Sequence, residues 1–356
     1  MYGSKTMPAT SALKHSIHGR AALTEVQWRS MRAPKTLITA FKILFTIFLL
    51  FLVFQSVDLS KISRNLRALN IESLILILGV CWVGQLVCSE RWRNFAASLQ
   101  MKGGYLSFVQ MYFVGMFFNL GLPSLVGGDL VKAYIVSRRN GRPLEIGLAS
   151  VIQDRAAGLI SLFAYGTLAI LICPMSWRGV PLWTVYLGFW IAAGIFLCLT
   201  AKAGYFYSKF IDSRKRTILQ RMLQTVAGFH QALEFSRLSR GAAIRIALYS
   251  FLYSGLILWA FRQVTVAAGH PVDRIPFVAL VPLVMLATML PVTPGGLGIR
   301  ELFYVEALSV AGVPRDQGLV ISLAISALLV VCNMAGLLFL PSIPKELRRQ
   351  AQSASQ

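Results

Sequence analysis

Leu122-Pro123-Ser124-Leu125-Val126-Gly127-Gly128 and, in the second half of the chain, Leu290-Pro291-Val292-Thr293-Pro294-Gly295-Gly296 each break an otherwise apolar stretch near its middle. Proline removes a backbone donor and crowds the preceding turn. Glycine permits close backbone approach and positive φ, and a helix that restarts after such a break presents free N–H groups. A cation stands nine residues past the first proline of each break, Lys132 and Arg300 respectively. Leu-Pro, paired glycines and a cation at one spacing, twice, read as a duplication. The broken regions run from Tyr105 to Ser137 and from Pro276 to Gly312.

Around them the chain is that of a membrane protein. Of its 356 residues 56% are hydrophobic and 14% charged, with a mean hydropathy of +0.64, whereas a soluble domain carries about 25% charge. Six further blocks reach the roughly 20 apolar residues that a helix needs to cross a bilayer: Ile38 to Ser56, Ser73 to Cys88, Ile146 to Cys173, Leu182 to Lys202, Ala242 to Val264 and Gln317 to Leu340. The net charge of +21 sits between these blocks and in the tails, not on a continuous face. This excludes nucleic acid as the partner and follows the cytoplasmic excess of Lys and Arg.

The basic segments are the tail before Ile38, the connection with Arg91, Arg93 and Lys102, the turn with Arg138, Arg139 and Arg142, the loop from Lys209 to Arg240, and the end with Lys345, Arg348 and Arg349. All are expected to be cytoplasmic, with both termini, in an inner (plasma) membrane. The loops around Pro174 to Pro181, Asp273-Arg274 and Arg315-Asp316 are nearly balanced and read as external. Each broken region then begins and ends on one side, the first inside and the second outside, as a re-entrant hairpin or a pair of crossings. Irregular backbone at membrane depth is tolerated against protein or a water-filled cavity, which favours the hairpin.

The expected fold is all-α and polytopic: about six full transmembrane helices plus two Pro-Gly hairpins, eight if the hairpins are counted as crossings. Residues 1–37 form a basic tail. Residues 38–173 form one membrane repeat with hairpin 105–137, and 182–340 a second with hairpin 276–312 and a basic loop 203–241; 341–356 is a second tail. Each half reads helix, helix, hairpin, helix, the second upside down, which is the inverted-repeat plan of many transporters. In the loop, Ile218, Met222, Val226, Phe229 and Leu233 make one helical stripe, for the inner leaflet or for packing on the protein.

Candidate substrate-binding residues follow from charge placed in apolar sequence. Gly127 and Gly128 with Lys132, and Gly295, Gly296 and Gly298 with Arg300, make an anion cradle at each restarted helix; the alternative is that the glycines serve helix packing and the cations snorkel. Pro123, Pro291 and Pro294 shape the breaks. Asp154 and Arg155 lie early in an apolar helix, to contact a headgroup or simply to solvate near the surface. Asp129, Glu301 and Glu306 set acids beside the cations, and Asp129 could instead cap its own helix. Arg91 and Trp92, in Glu90-Arg91-Trp92-Arg93, read as an interface anchor.

Five cysteines without paired spacing and four scattered histidines give no metal cluster. No HExxH, Walker or GxSxG motif occurs. Neither a cofactor nor an enzymatic activity is expected.

Asn119-Leu120-Gly121-Leu122-Pro123-Ser124-Leu125-Val126-Gly127-Gly128-Asp129-Leu130-Val131-Lys132, then Asp154-Arg155-Ala156-Ala157-Gly158, then Leu290-Pro291-Val292-Thr293-Pro294-Gly295-Gly296-Leu297-Gly298-Ile299-Arg300-Glu301, in that order, resemble the lysylphosphatidylglycerol synthase transmembrane region, the flippase-like domain family. Arg91-Trp92 also looks like a feature of that family. The resemblance implies movement of an anionic or phosphate-bearing lipid (phospholipid, polyprenyl-phosphate-linked or hopanoid-type) between leaflets, with membrane lipids as partners and Lys132, Arg155 and Arg300 on the headgroup. In the fused synthases an aminoacyl-transferase domain follows the membrane region, and with the few residues after Leu340 this chain is not expected to make aminoacyl lipid itself; Lys132 stands where the family often has Arg. Two other readings remain open: a membrane subunit of a lipid-linked glycan enzyme, with Asp129, Asp154 and Glu301 as acid or base, and a scaffold recruiting a separate synthase.

Overall fold

The computed structural model describes residues 71–121, 127–210, 238–289 and 298–342. The Ile38 to Ser56 block, both tails, the amphipathic stripe and Pro123, Pro291, Pro294, Gly295 and Gly296 lie outside the described residues. The described helices are α1 (Ile71–Ser98), α2 (Tyr105–Gly121), α3 (Gly127–Arg139), α4 (Leu144–Ile172), α5 (Leu182–Phe210), α6 (Arg240–Ala267), α7 (Arg274–Thr288), α8 (Ile299–Val310) and α9 (Arg315–Met334), the last continued by a 3₁₀ turn, Ala335–Ser342. A two-stranded ribbon, β1 (Ser176–Trp177) and β2 (Val180–Pro181), joins α4 to α5. Its turn places Arg178 and Gly179 at positive φ, which matches the right-handed twist of a tight hairpin.

Among the described residues, four helices are long and apolar enough to cross a bilayer: Ile71–Ser98, Leu144–Ile172, Arg240–Ala267 and Arg315–Pro341. Tyr105–Leu120, Leu182–Cys198 and Arg274–Thr288 are shorter apolar helices. The protein is thus an all-α polytopic membrane protein. Both broken regions appear as helix pairs, α2 with α3 and α7 with α8, joined by residues 122–126 and 289–298. Helices of 13 and 12 residues, α3 and α8, rise about 20 Å and 18 Å at 1.5 Å per residue, short of a ~30 Å hydrocarbon core. α2 and α3 run antiparallel, since Asn119 near the end of α2 meets Gly128 and Ser107 near its start meets Arg139.

Helix packing repeats between the halves. α1 packs on α6, α2 on α3 as α7 on α8, α3 on α4 as α8 on α9, α4 on α7 as α9 on α2, and α4 on α6 as α9 on α1. Exchanging α1–α4 for α6–α9 maps this set of pairs onto itself, as a two-fold-related duplication requires. Even the starts agree: α4 follows Pro143 and α9 follows Pro314, both with φ near −57°, where proline suits a helix entry because the N–H it lacks would have no partner.

Two boundaries differ from the sequence reading. α1 runs ten residues past Cys88, through Arg91 and Trp92, and α5 continues to Phe210 inside the expected loop 203–241. Hydropathy ends a segment at its first charges, whereas a helix continues wherever neighbours satisfy them.

The connections sort by charge. Lys102 N–H donates to Asn140 Oδ1, Arg142 to Gln100 Oε1, and Arg245 to Asn94 Oδ1, so the basic connections around residues 99–104 and 138–143 and the start of α6 share one end. At the balanced end, Glu306 of α8 accepts from Arg178 of the ribbon and Arg315 of α9, each at 2.8 Å, and Trp177 meets Phe303 edge-on. Both arginines are largely exposed, so Glu306→Gln is expected to shift stability by no more than about 1 kcal/mol, checked by denaturation in detergent.

Candidate functional site

The α2–α3 hairpin closes by backbone contact. Gly128 lies against the Gly115 carbonyl, and its N–H donates to Asn119 Oδ1 at 2.9 Å. That approach needs glycine: a Cβ at Gly128 would collide with the Gly115 oxygen. Gly147 plays the same part between α4 and α3, against the Ala133 carbonyl and the Ser137 side chain. Small residues thus bring three helix backbones together and fix which side chains meet between them.

Those side chains form a charge cluster. Asp129 accepts from Arg155 Nε at 2.9 Å and Nη2 at 3.0 Å, and also pairs with Lys132 Nζ at 2.8 Å. Lys132 is enclosed, with 2% of its side chain exposed; its ammonium stands 4.3 Å from the Tyr112 ring centroid and 5.5 Å from that of Trp92, within cation–π range. Arg155 differs, with 41% of its side chain exposed. Counting from Leu144, Arg155 is about 16 Å along α4. Within a membrane-length helix a guanidinium is directed to a cavity or to protein and not to hydrocarbon.

Beside this lies a second pair. Arg91 Nε donates to Asp154 Oδ1 at 2.7 Å, with 3% and 0% exposure. Arg91 also stands over the Tyr253 ring at 5.6 Å, and Gly158 leaves room for its guanidinium. Trp92, fully buried, donates to Ser150 Oγ at 3.1 Å and packs edge-on against Phe108. The anchor expected of Arg91 and Trp92 is therefore corrected: both point inward, because α2, α4 and α6 surround this part of α1 and Asp154 offers a counter-charge. Asp154 Oδ2 and Arg91 Nη1 have no hydrogen-bond partner among the described residues. Sequence reasoning paired Asp154 with Arg155 as neighbours; on the helix they diverge, one to α1 and the other to α3.

In the second half, Glu301 is fully buried and accepts from Gly298 N–H at 2.6 Å and Ser326 Oγ at 2.6 Å, with Arg300 Nε at 3.5 Å. Gly298 has φ +84°, the left-handed region that favours glycine. Glu301 ties α8 to α9 as Asp129 ties α3 to α4. Arg300 is buried, and Tyr304, four residues on, has a buried hydroxyl without a described partner. Glu306 does not join this group, lying instead at the balanced end. Tyr112, Tyr253 and Ser326 were missed by the sequence reading; they sit at neutral helical positions, and their contact with charge arises only through packing. Among the described residues no three His, Cys, Asp or Glu are gathered to hold a metal.

Charge held inside a helical membrane protein, on helix pairs broken by Pro-Gly segments, defines a class of polytopic proteins with an interior polar site. The family model of the lysylphosphatidylglycerol synthase TM region matches residues 39–336, and the chain belongs to this family. It is similar to UPF0104 membrane proteins of Methanothermobacter thermautotrophicus (26% identical, covering 71% of this chain and 76% of the relative) and Methanocaldococcus jannaschii (22%, covering 81% and 90%). A UPF0104 membrane protein of Pyrococcus horikoshii is 25% identical over 71% of this chain and 81% of its own. No solved structure matches the chain.

Proposed function

We propose that the protein moves an anionic, phosphate-bearing amphiphilic lipid between leaflets, without enzymatic chemistry or a cofactor. The observation that carries this reading is Arg155: a partly exposed guanidinium in the first half of a membrane-length helix, held by Asp129 on the restarted half of a broken hairpin. An anionic headgroup needs such a cation inside the membrane, and its tails can remain against the exposed apolar faces of the surrounding helices. Arg300 supplies a second cation in the mate hairpin. Lys132, enclosed by Asp129 and two aromatic rings, acts on the headgroup through Asp129. The gathering of basic connections at one end supports an inner-membrane orientation with that end cytoplasmic.

The test is reconstitution in liposomes with labelled phospholipid or polyprenyl-phosphate lipid, following leaflet exchange. Arg155→Ala and Arg300→Ala are each expected to lower exchange about tenfold or more, the worth of one hydrogen bond to a charged group. Folded wild-type protein that exchanges no lipid class would overturn the reading.

A further inference from the structure

We infer that the interior site is built to receive a single negative charge at Arg155, and that Asp129 is the resident carboxylate which this incoming anion displaces. The inference rests on the lipid-transport reading and names the charge class of its substrate. Among the described residues, the buried charges balance, Arg91, Lys132 and Arg300 against Asp129, Asp154 and Glu301, and the half-buried Arg155 joins them through Asp129, whereas the half-buried Arg262 of α6 donates to the Val272 carbonyl in the connection to α7. One positive charge is left over. Glu90 and Arg93 cancel each other at the basic end of α1, residues 122–126 and 290–297 contain no charged side chain, and Lys42 of the Ile38 to Ser56 block lies outside the described residues. Charge in a low-dielectric interior is stable when paired, so one added negative charge completes this set and a second would overfill it.

Geometry assigns that charge to Arg155. Asp154 holds Arg91 with both side chains almost completely buried, and Lys132 is enclosed. Arg155 alone of the four cations combines a carboxylate partner with substantial exposure. When an anion takes the Arg155 guanidinium, Asp129 keeps Lys132 at 2.8 Å and is not stranded. Lys132 is therefore a positioning residue: it lets Arg155 exchange one anion for another at low cost. A lipid bearing one phosphodiester and no other charge fits this count. A zwitterionic lipid brings no net charge, and a dianionic phosphomonoester brings one too many.

Equilibrium binding of short-chain fluorescent lipids to the detergent-purified full chain tests this, using phosphatidylglycerol (charge −1), phosphatidylcholine (0) and, at pH 8.5, phosphatidic acid (mostly −2). Wild type is expected to bind phosphatidylglycerol at least tenfold more tightly than phosphatidylcholine and no less tightly than phosphatidic acid. Asp129→Asn should tighten binding and move the preference to phosphatidic acid, and Lys132→Met should weaken phosphatidylglycerol and bring it level with phosphatidylcholine. The double variant restores the charge count and should return the wild-type order, a rescue that a merely structural role would not produce. Arg155→Gln, at the most exposed of these positions, should abolish the preference for the anion in folded protein. A preference unchanged across these variants, or wild-type protein that binds none of the three lipids, overturns the inference. Charge-selective binding without leaflet exchange would retire the transport reading and leave the charge count standing, whereas exchange with charge-blind binding would do the reverse.

Discussion

Asp154→Ala is expected to destabilise the protein by about 3–5 kcal/mol, because it leaves the Arg91 guanidinium buried without its counter-charge. Arg91 and Asp154 lie 63 residues apart in the chain and meet at 2.7 Å between α1 and α4. Arg91 Nη1 lacks a described partner even in the intact protein, so the guanidinium has little hydrogen bonding to fall back on once Asp154 is gone. The double variant Arg91→Met/Asp154→Leu removes both charges and should recover most of the loss, as apolar replacements of buried ion pairs often do. Denaturation midpoints in detergent for the two single variants and the double variant read this directly. A single variant as stable as wild type would mean that Arg91 finds another acid, and the pair would lose its place as the tie between these helices.

Gly128→Val should have a comparable effect by a different route. Overpacking in a protein interior costs about 1–3 kcal/mol when side chains can yield. Here the first obstacle is the Gly115 carbonyl, with Asn119 beside it, and backbone yields only by moving the helix. α3 would be displaced from α2, taking Asp129 and Lys132 away from Arg155 and from the Tyr112 ring. Leaflet exchange should therefore fall together with thermal stability. Gly79→Ala is the control: a Cβ there meets nothing within 4 Å, and both stability and exchange should match wild type. Full exchange in a Gly128→Val protein would show that hairpin closure is not needed for the site.

Much of this protein was legible one segment at a time. Hydropathy and the prolines placed α4, α6, α7 and α9 within a few residues of where they lie, because helix length and helix breakers act through local backbone chemistry. The Leu-Pro and Gly-Gly pairs marked where each helix pair is interrupted, and Gly128 gives the reason at the first, since its close approach to the Gly115 carbonyl demands glycine. The family followed from the same three motifs.

What the sequence by itself determined, then, is the set of helices, the two breaks and the identity of the charges that had to be accommodated. Their partners were decided by tertiary structure. Adjacent in sequence, Asp154 and Arg155 are separated by the turn of α4, so one serves Arg91 and the other Asp129. Lys132 and Arg155 look alike as intramembrane cations, yet one is sealed by aromatic rings from α1 and α2 while the other stays open. Arg91 and Trp92 carry the pattern of an interface anchor and turn inward because three helices close around them. Rotation of each helix about its axis sets such pairings, and that rotation is fixed by long-range packing at residues such as Gly115, Gly128, Gly147 and Gly158, where the absence of a side chain admits a neighbour.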